Sequence, residues 1–407
     1  MILVVDVMSD TAAFSWKRIF IPAFGPSILF GIGLGAIMPV VALSAIDLGA
    51  SPALSGLIVA LMGLGSLFSN IPAAVITSRY GERRSLIGAS FVSLMALALC
   101  LLASHVLVFA AAMLLLGVAM SVFYLARQTY LIEAVPQHMR ARALATLGGS
   151  QRMGSFVGPF LSAGFIHFLG IQGAYWLATL VLVGVACLCY SIPELPSRSA
   201  SALKTAVRPS MLGILVQYRK VFLTLGLGVL LVAALRSTRQ IAIPLWADQI
   251  GLDPAATAII FGMASAVDMA VFYPAGKIMD RFGRVWIALP CTILLGAAFM
   301  LIPTTSSGLT LLAASLLMGF GNGIGSGLVM TLGADASPDH GRTEFIGIWR
   351  LLADIGNSAG PFFLSGVTAV ATLGLGIGLT GMFGFVAAAL FWAYLPHRGG
   401  GTKAPPA

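Results

Sequence analysis

The chain has 407 residues, of which 58% are hydrophobic and only 9% are charged, and its formal net charge is +9. Soluble domains usually carry about 25% charged residues, so this composition excludes an ordinary water-soluble globular protein and indicates that lipid is the main solvent. The positive charge does not indicate a nucleic-acid partner, because Lys and Arg concentrate in the tails, the central linker and every second loop.

Apolar runs of roughly 20 residues, the length that crosses about 30 Å of hydrocarbon, predict twelve transmembrane spans. The predicted spans are 22–45, 54–77, 85–104, 107–134, 144–168, 172–193, 221–246, 255–276, 285–303, 309–334, 344–368 and 373–395. Short loops within each half predict antiparallel neighbours. With the charge bias, they predict an integral protein of a bacterial inner membrane that has both termini in the cytoplasm.

The second half of the chain repeats the first at an offset of 202 residues. The clearest pairs are Arg79 with Arg281, Gly81 with Gly283, Gly154 with Gly356, Gly158 with Gly360 and Pro159 with Pro361. Two copies of a six-span unit predict an all-α membrane protein with two six-helix pseudo-symmetric bundles and a substrate site between them. The predicted parts are a bundle (1–193), a cytoplasmic linker (194–220), a second bundle (221–396) and a flexible tail (397–407).

A polar turn after the eighth predicted span contains Gly276, Asp280, Arg281, Gly283 and Arg284. Gly276 would allow a close helix approach and Gly283 a tight turn, while the arginines could reach acids such as Asp335. The aspartate could accept from the N-terminus of a neighbouring helix. The pattern G-x-x-x-D-R-x-G-R resembles the loop signature of the major facilitator superfamily. That resemblance implies a gating loop in a secondary transporter that rocks two bundles about a central cavity.

The first-half copy of this loop keeps Arg79, Gly81 and Arg83 but lacks the acid and the first glycine. Ser78 stands where the acid belongs and Ala74 where the glycine belongs. In the superfamily the first-half copy is usually the more complete one. The departure therefore calls into question a latch that depends on a carboxylate in this half.

The fifth and eleventh predicted spans share the pattern Gly-x-x-x-Gly-Pro, which resembles the antiporter motif of the superfamily. Its residues are Gly154, Gly158 and Pro159 in one span and Gly356, Gly360 and Pro361 in the other. Such a pattern gives a flat helix face with a kink, and simple helix packing is the alternative reading. With Arg127 as a partial match to a further motif, it favours the drug/proton antiporter branch.

Seven ionisable residues lie inside the predicted spans: Arg127, Arg152, Arg236, Arg239, Asp268, Arg350 and Asp354. A charge at bilayer depth costs at least about 2.5 kcal/mol, so each needs a partner or a wet cavity. Asp268 and Asp354 are the candidates for proton coupling, and the five arginines are candidates for cavity lining or ion pairing. Arg350 and Asp354 are four residues apart, a spacing that also suits a structural pair on one helix face.

Asp268 is the main candidate, because it lies about eight residues, or roughly 12 Å, from the predicted cytoplasmic end of its span. Arg152 lies at a similar depth in the fifth span, which faces the eighth in the superfamily fold. We expect the two to pair across the halves, and protonation of Asp268 to weaken the pair and allow rocking. Arg236 and Arg239 would form an anion-attracting wall or, alternatively, pair with Asp268 or Asp248.

A run of glycines spans Gly319, Gly321, Gly323, Gly325 and Gly327. It is expected to lie inside one continuous span, where small residues allow close packing, and not in a dinucleotide-binding loop.

The predicted function is secondary active transport, with proton-coupled efflux of small, largely apolar compounds by alternating access. The alternative is uptake or exchange of an organic anion, which the excess of arginine over acid favours. No catalytic or metal-ligand spacing is evident, so we expect neither an enzyme nor a cofactor. The expected partners are a small-molecule substrate, protons and the lipid bilayer, and the expected state is a monomer.

Overall fold

Long α-helices make up nearly all of the computed structural model, which describes residues 16–135, 140–192, 211–338 and 341–395. Within those ranges there is no β-strand. The helices are α1 (Trp16–Ile37), α2 (Val41–Asp47), α3 (Pro52–Tyr80), α4 (Glu82–Leu102), α5 (Val106–Ala134), α6 (Arg140–Leu169), α7 (Gln172–Ser191), α8 (Met211–Gln217), α9 (Arg219–Val221), α10 (Leu227–Gln249), α11 (Pro254–Phe282), α12 (Val285–Leu301), α13 (Gly308–Ile324), α14 (Leu328–Ala336), α15 (Arg342–Val370) and α16 (Leu373–Tyr394). A π-helical turn precedes α10 and a 3-10 turn follows α12. The all-α prediction is confirmed for the described residues.

Helices α3 and α11 show how the repeated sequence signals produce repeated structure. Each has 29 residues and begins with a proline that follows a side-chain cap. Ser51 and Asp253 accept a backbone N–H three residues further on, at 3.2 Å and 2.8 Å, and so satisfy a donor that the helix leaves free. Each helix ends at a glycine with positive φ, Gly81 at 81° and Gly283 at 99°. Glycine adopts this conformation at little cost, as the turn prediction requires.

Two predicted spans are not continuous helices. The first is interrupted at residues 38–40, between α1 and α2, and the tenth at residues 325–327, between α13 and α14. The expectation that the glycine run lies inside one helix is therefore wrong, because Gly325 and Gly327 lie in the break. Two glycines within three residues weaken helix formation by about 1 kcal/mol each relative to alanine, which favours an interruption there.

The predicted linker, 194–220, is partly helical. Helices α8 and α9 occupy its last part, and Ile214 of α8 is buried against the second-half core. That apolar contact is why this stretch is helical although its composition suggested a polar connection. The rest of the linker up to residue 210, and the predicted tail, lie outside the described residues.

Ten helical segments of the described chain are long and apolar enough to cross a membrane. The other two predicted spans, 144–168 and 344–368, fall on α6 and α15. These helices have 30 and 29 residues but are not among the ten. Both are long enough to cross a bilayer, so what distinguishes them is their larger share of polar residues. They are also the helices that carry the Gly-x-x-x-Gly-Pro pattern.

In the first half, that pattern packs α6 directly on α1. A Cβ added at Gly154 would collide with the carbonyl oxygen of Ile28, and one added at Gly158 would lie 2.5 Å from that of Ile32. Pro159 follows inside the same helix. The two backbones are therefore in contact, which any larger residue would prevent.

In the second half, the pattern packs α15 on α10 in the same way. A Cβ at Gly356 would collide with the carbonyl oxygen of Leu230, and one at Gly360 with that of Ala234. Leu230 and Ala234 lie 202 residues after Ile28 and Ile32. The corresponding glycines of the two halves therefore contact the carbonyl oxygens of corresponding residues. The helix-packing reading of both patterns is supported.

The two halves of the sequence meet mainly through two helix pairs, α6 with α11 and α3 with α15. A smaller contact joins α2 to α10. The α6–α11 pair brings the middle of a first-half helix next to the middle of a second-half helix. The candidate site lies there.

Candidate functional site

Asp268 lies at the middle of α11, fourteen residues, or about 21 Å, from either end. This is farther from the C-terminal end of the helix than predicted, because α11 continues six residues past the predicted end of the span. Arg152 of α6 places Nη1 3.8 Å from Asp268 Oδ1, and Arg239 of α10 places Nη2 3.7 Å from Oδ2. The expected contact between Arg152 and Asp268 is present, and of the alternatives for Arg239 the structure has the pair with Asp268.

Helix α13 and the break after it supply two neutral partners. Asn322 donates from Nδ2 to Asp268 Oδ2 at 2.6 Å, and Ser326 donates to Oδ1 at 3.4 Å. Arg152 in turn donates to Ser326 Oγ at 2.5 Å. A Cβ on Gly323 would lie 2.6 Å from the Asp268 carbonyl oxygen, so glycine there allows α13 to approach α11 closely enough for these bonds.

Arg236, one turn before Arg239 on α10, has a different partner. It donates from Nη2 to the carbonyl oxygen of Gly325 in the break between α13 and α14. Neither it nor Arg239 has an ion pair with Asp248, which is exposed at the far end of α10. Arg236 thus ties α10 to the interrupted helix.

We call this group of side chains the central cluster; its members are Arg152, Arg236, Arg239, Asp268, Asn322 and Ser326. It contains three guanidinium groups and one carboxylate. Several of its buried donors have no hydrogen-bond partner in the described structure, namely Nε of Arg236 and both Nε and Nη1 of Arg239. The cluster is therefore rich in positive charge and in unused donors, and it can accept a further anion or acceptor.

A cavity of about 440 Å³ adjoins the central cluster. Its walls come from α11, the end of α13 and the break that follows it. They are formed by Phe272, Tyr273, Gly276, Lys277, Met279, Ile324 and Gly327. The Arg152 guanidinium lies 4.5 Å from the centroid of the Phe272 ring, which links the cavity wall to the cluster. The cavity thus offers an apolar, aromatic surface next to a charged group.

Arg127 lies in a second polar group on the first-half helices α5 and α6. Its Nη1 donates to Gln151 Oε1 at 2.8 Å, and its guanidinium lies 4.6 Å from the centroid of the Tyr124 ring. Gln151 also donates to the Tyr124 hydroxyl at 3.4 Å. Because Gln151 precedes Arg152, this group and the central cluster are adjacent along α6.

The second-half loop makes one of its expected contacts. Arg284 donates from Nε to Asp335 Oδ2 at 2.7 Å and so joins the start of α12 to the end of α14. Gly276 does not act as expected, since a Cβ there would meet no atom within 4 Å. In this conformation Gly276 lines the cavity and does not permit a close helix approach. Asp280 belongs to α11, but its side chain lies outside the described residues.

The other loop arginines lie against aromatic rings. Arg281 lies 5.3 Å from the ring of the adjacent Phe282, and Arg79 lies 5.6 Å from that of the adjacent Tyr80. Arg83 reaches α7, where it donates to the carbonyl oxygen of Tyr190 at 2.5 Å. The first-half loop is therefore tied to a helix of its own half.

The pair on α15 lies apart from the central cluster. Arg350 is exposed and Asp354 is half-buried, and no salt bridge joins them among the described residues. Arg350 is nevertheless close enough to act on the charge of Asp354. The structure does not bring Asp354 to the carboxylate of Asp268.

Sequence reasoning missed Asn322, Ser326 and Gln151. The first two were hidden in the glycine run, which was read only as packing. The sequence did contain a signal for Asn322. It lies between Gly321 and Gly323 in a tightly packed helix, and a polar side chain that is buried there needs a hydrogen-bond partner. Gln151 could have been found as the residue next to Arg152.

The geometry by itself shows a polar cluster between helices. The protein family is identified by comparing the chain with known proteins. The model of the Major Facilitator Superfamily matches residues 24–361 and, in a second match, 225–406. The chain belongs to the Major Facilitator Superfamily. Members of this superfamily are membrane transporters that bind small-molecule substrates, so the chain is an integral membrane transporter by family and fold.

Two transporters and one solved structure illustrate the range of superfamily members that the chain resembles. The MFS-type transporter YhjO of Bacillus subtilis is 24% identical over 310 residues, which cover 75% of each chain. The multidrug resistance protein MdtH of Klebsiella pneumoniae is 22% identical over 379 residues, covering 91% of this chain and 93% of MdtH. The crystal structure of a D-xylose-proton symporter superposes with a TM-score of 0.72 at 16% identity, covering 94% of this chain and 99% of the symporter. This last likeness shows the fold alone.

Proposed function

We propose that this transporter couples proton movement to the export of small, largely apolar compounds by alternating access, with Asp268 as the proton carrier. The observation that carries the proposal is that charged groups from both halves of the sequence meet at this carboxylate. Arg152 of α6 and Arg239 of α10 approach it at 3.8 Å and 3.7 Å. The Asp268 side chain is 16% exposed, so it is mostly but not completely shielded from solvent.

The coupling follows from charge. With Asp268 ionised, its attraction to Arg152 holds α6 of the first half against α11 of the second. A proton on Asp268 removes that attraction, and two arginines without a counter-charge then repel each other. The α6–α11 contact weakens, and the two halves are free to rock. Proton binding is thereby converted into a change of access.

The same proposal includes the architecture around the site. Helices α6 and α15 would complete twelve spans, grouped in bundles 1–193 and 221–396 that the linker joins. The matching glycine contacts of α6 on α1 and of α15 on α10 support two units of one design. Both termini would be cytoplasmic in a bacterial inner membrane, and the transporter would act as a monomer.

Export of apolar compounds is supported by two observations. MdtH, a multidrug resistance protein by name, resembles this chain over 91% of its length. The cavity beside the central cluster is walled largely by apolar and aromatic groups, among them Phe272, Met279 and Ile324. Such surfaces suit cargo that is held by area more than by specific hydrogen bonds.

Transport of an organic anion, by uptake or exchange, is the second candidate. It is favoured by the composition of the central cluster, in which three arginines face one carboxylate. In a low-dielectric interior an excess of buried positive charge attracts an anion strongly.

Purified protein in proteoliposomes with an imposed pH gradient tests the proposal. Gradient-driven movement of a lipophilic dye cation and of an aromatic carboxylate is measured for the wild type and for Asp268→Asn, with the exposed Asp248→Asn as matched control. We expect at least about a tenfold loss of gradient-driven movement in Asp268→Asn, because amide cannot carry the proton, and little change in the control. Undiminished driven transport in Asp268→Asn would remove Asp268 from the mechanism.

A further inference from the structure

We propose that the cargo carries one anionic group, which binds Arg239 in place of the Asp268 carboxylate while its apolar body fills the adjoining cavity. Asp268 is thus a competitor of the cargo anion for the same guanidinium. The inference rests on the proposed transport function and develops its second candidate, since it names the residue, the chemistry and the link to protons.

The donors of Arg239 point to a missing partner. Its side chain is only 10% exposed, and one nitrogen, Nη2, lies 3.7 Å from Asp268. Nε and Nη1 are buried and have no hydrogen-bond partner in the described structure. A buried donor without an acceptor is costly, and the planar guanidinium is suited to a carboxylate or phosphate that takes two parallel bonds. A ligand anion would satisfy donors that Asp268 leaves unused.

The groups facing Asp268 allow it to give up Arg239. The charged or titratable ones are Arg152 on α6, Arg236 and Arg239 on α10, and the buried thiol of Cys291 on α12. Asn322 donates to the carboxylate at 2.6 Å and Ser326 at 3.4 Å, both from the α13 side. These neutral donors can keep the Asp268 carboxylate hydrogen-bonded to the α13 side while a ligand anion replaces it at Arg239.

The cavity suits the rest of such a molecule. It has a volume of about 440 Å³, and its wall includes Phe272, whose ring lies 4.5 Å from the Arg152 guanidinium. Lys277 adds a further cation to the wall, with its Nζ 4.8 Å from the ring of Tyr273. A ligand that enters along this wall meets aromatic surface and positive charge together, which favours an aromatic or alkyl body with a single negative group.

The arrangement sets the sign of the link to protons. Asp268 and the ligand anion compete for Arg239, and a proton on Asp268 removes the competitor and its repulsion. Proton binding therefore strengthens anion binding, and by reciprocity the anion strengthens proton binding. A cationic cargo would show the opposite sign, because it would compete with the proton for Asp268.

Thermal unfolding of the purified full chain in detergent tests the inference with two probes of matched shape. One is 1-naphthoate, which is ionised from about pH 5.5 to about pH 7.5, and the other is its neutral isostere 1-naphthamide. We expect 1-naphthoate to raise the unfolding temperature more than the amide does. No rise with the carboxylate, or equal rises with both probes, would overturn the proposal.

Variants locate the effect. Asp268→Asn is expected to bind 1-naphthoate more tightly than the wild type at about pH 7.5, because the competing carboxylate charge is gone. Arg239→Gln is expected to bind it about tenfold more weakly, with Arg239→Lys as a charge-preserving second variant should the first fail to fold. Arg219→Gln, an exposed arginine at the start of the same transmembrane segment, is the matched control and should bind as the wild type does.

This outcome is separable from that of the transport proposal. Gradient-driven transport lost in Asp268→Asn, together with no preference for the carboxylate probe, would retain proton coupling and reject the anion subsite. A clear carboxylate preference that persists unchanged in Arg239→Gln and Arg239→Lys would reject Arg239 as the ligand.

Discussion

The first and second halves of the chain differ far less in backbone packing than in polar side chains. Gly117 of α5 lies so close to α3 that a Cβ would collide with the carbonyl of Met62, and Gly319 of α13 stands in the same relation to Ala264 of α11. Each second-half residue follows its counterpart by 202 positions. The central cluster shows the opposite behaviour, because three of its members have apolar counterparts: Leu34 corresponds to Arg236, Ile37 to Arg239 and Met120 to Asn322. Asp268 corresponds to Ser66, which is polar but carries no charge.

The physical reason for this difference lies in what each kind of contact tolerates. Where two helix backbones touch, no larger residue fits in either half, so glycine stays in both copies. A charge inside the membrane is tolerated only where it finds a partner, and one set of partners suffices for one site. The duplication thus provides two matching scaffolds, and the site arises where one of them has changed.

The largest effect should come from breaking the shared packing. Replacing Gly158 or Gly360 with Leu places a side chain against a backbone that cannot move aside, so each variant should lose at least about 3 kcal/mol of stability or fail to fold. Unfolding temperature and the yield of monodisperse protein measure this, and we expect similar losses in both halves.

Gly164 of α6 and Gly366 of α15 are the matched controls, since a Cβ at either would meet no atom within 4 Å. Leu at these positions should change stability by no more than about 0.5 kcal/mol. If the Gly158 variant were as stable as its control, the contact between α6 and α1 would not be the tight one described, and the equivalence of the halves would fail.

Sequence reasoning succeeded where a local signal dictates local geometry. The apolar runs placed α3 and the start of α11 to within a few residues, and the polar turns that follow them lie at Gly81 and Gly283, although α11 continues six residues past its predicted end. Hydropathy alone could not reveal the breaks in the first and tenth spans, because it records composition and not backbone conformation.

The candidate site could be predicted only in part for a related reason. Approximate depth along a helix is readable from sequence, and together with the facing of the fifth and eighth helices that the superfamily resemblance implies, it predicted the pair of Arg152 with Asp268. Rotation about the helix axis and the position of a third helix are not readable in the same way. The choice between partners for Arg239 stayed open, and Asn322 was missed, because both depend on how closely α10 and α13 approach α11.

A smaller loss of stability is expected when residues of the central cluster are replaced by their first-half counterparts. Asp268→Ser introduces the residue of the first half and leaves Arg239 buried without its counter-charge, which should cost about 3 kcal/mol. Arg239→Ile should also destabilise, and the double variant should recover part of the loss, because the guanidinium that is only 10% exposed is then no longer left without a counter-charge, whereas Arg152 is 35% exposed. Unfolding temperatures of the four proteins give the interaction free energy.

The exposed Asp248→Ser serves as the control for loss of an acid and should be nearly neutral. Losses that simply add in the double variant would mean that Asp268 and Arg239 stabilise the fold independently. The central cluster would then be a set of separate side chains and not one unit that sets the second half apart from the first.

The smallest effect on stability is expected at the loop between α11 and α12, whose first-half copy lacks the acid. Arg284 and Asp335 form an ion pair at 2.7 Å, but their side chains are 33% and 48% exposed, so water and salt screen the attraction. A double-mutant cycle of Arg284→Gln with Asp335→Asn should give a coupling of at most about 1 kcal/mol, falling as salt is raised. Arg281→Gln, on the neighbouring arginine that lies against Phe282, should show no coupling to Asp335→Asn. A coupling much above that limit would mean that this loop contributes substantially to the stability of the second half.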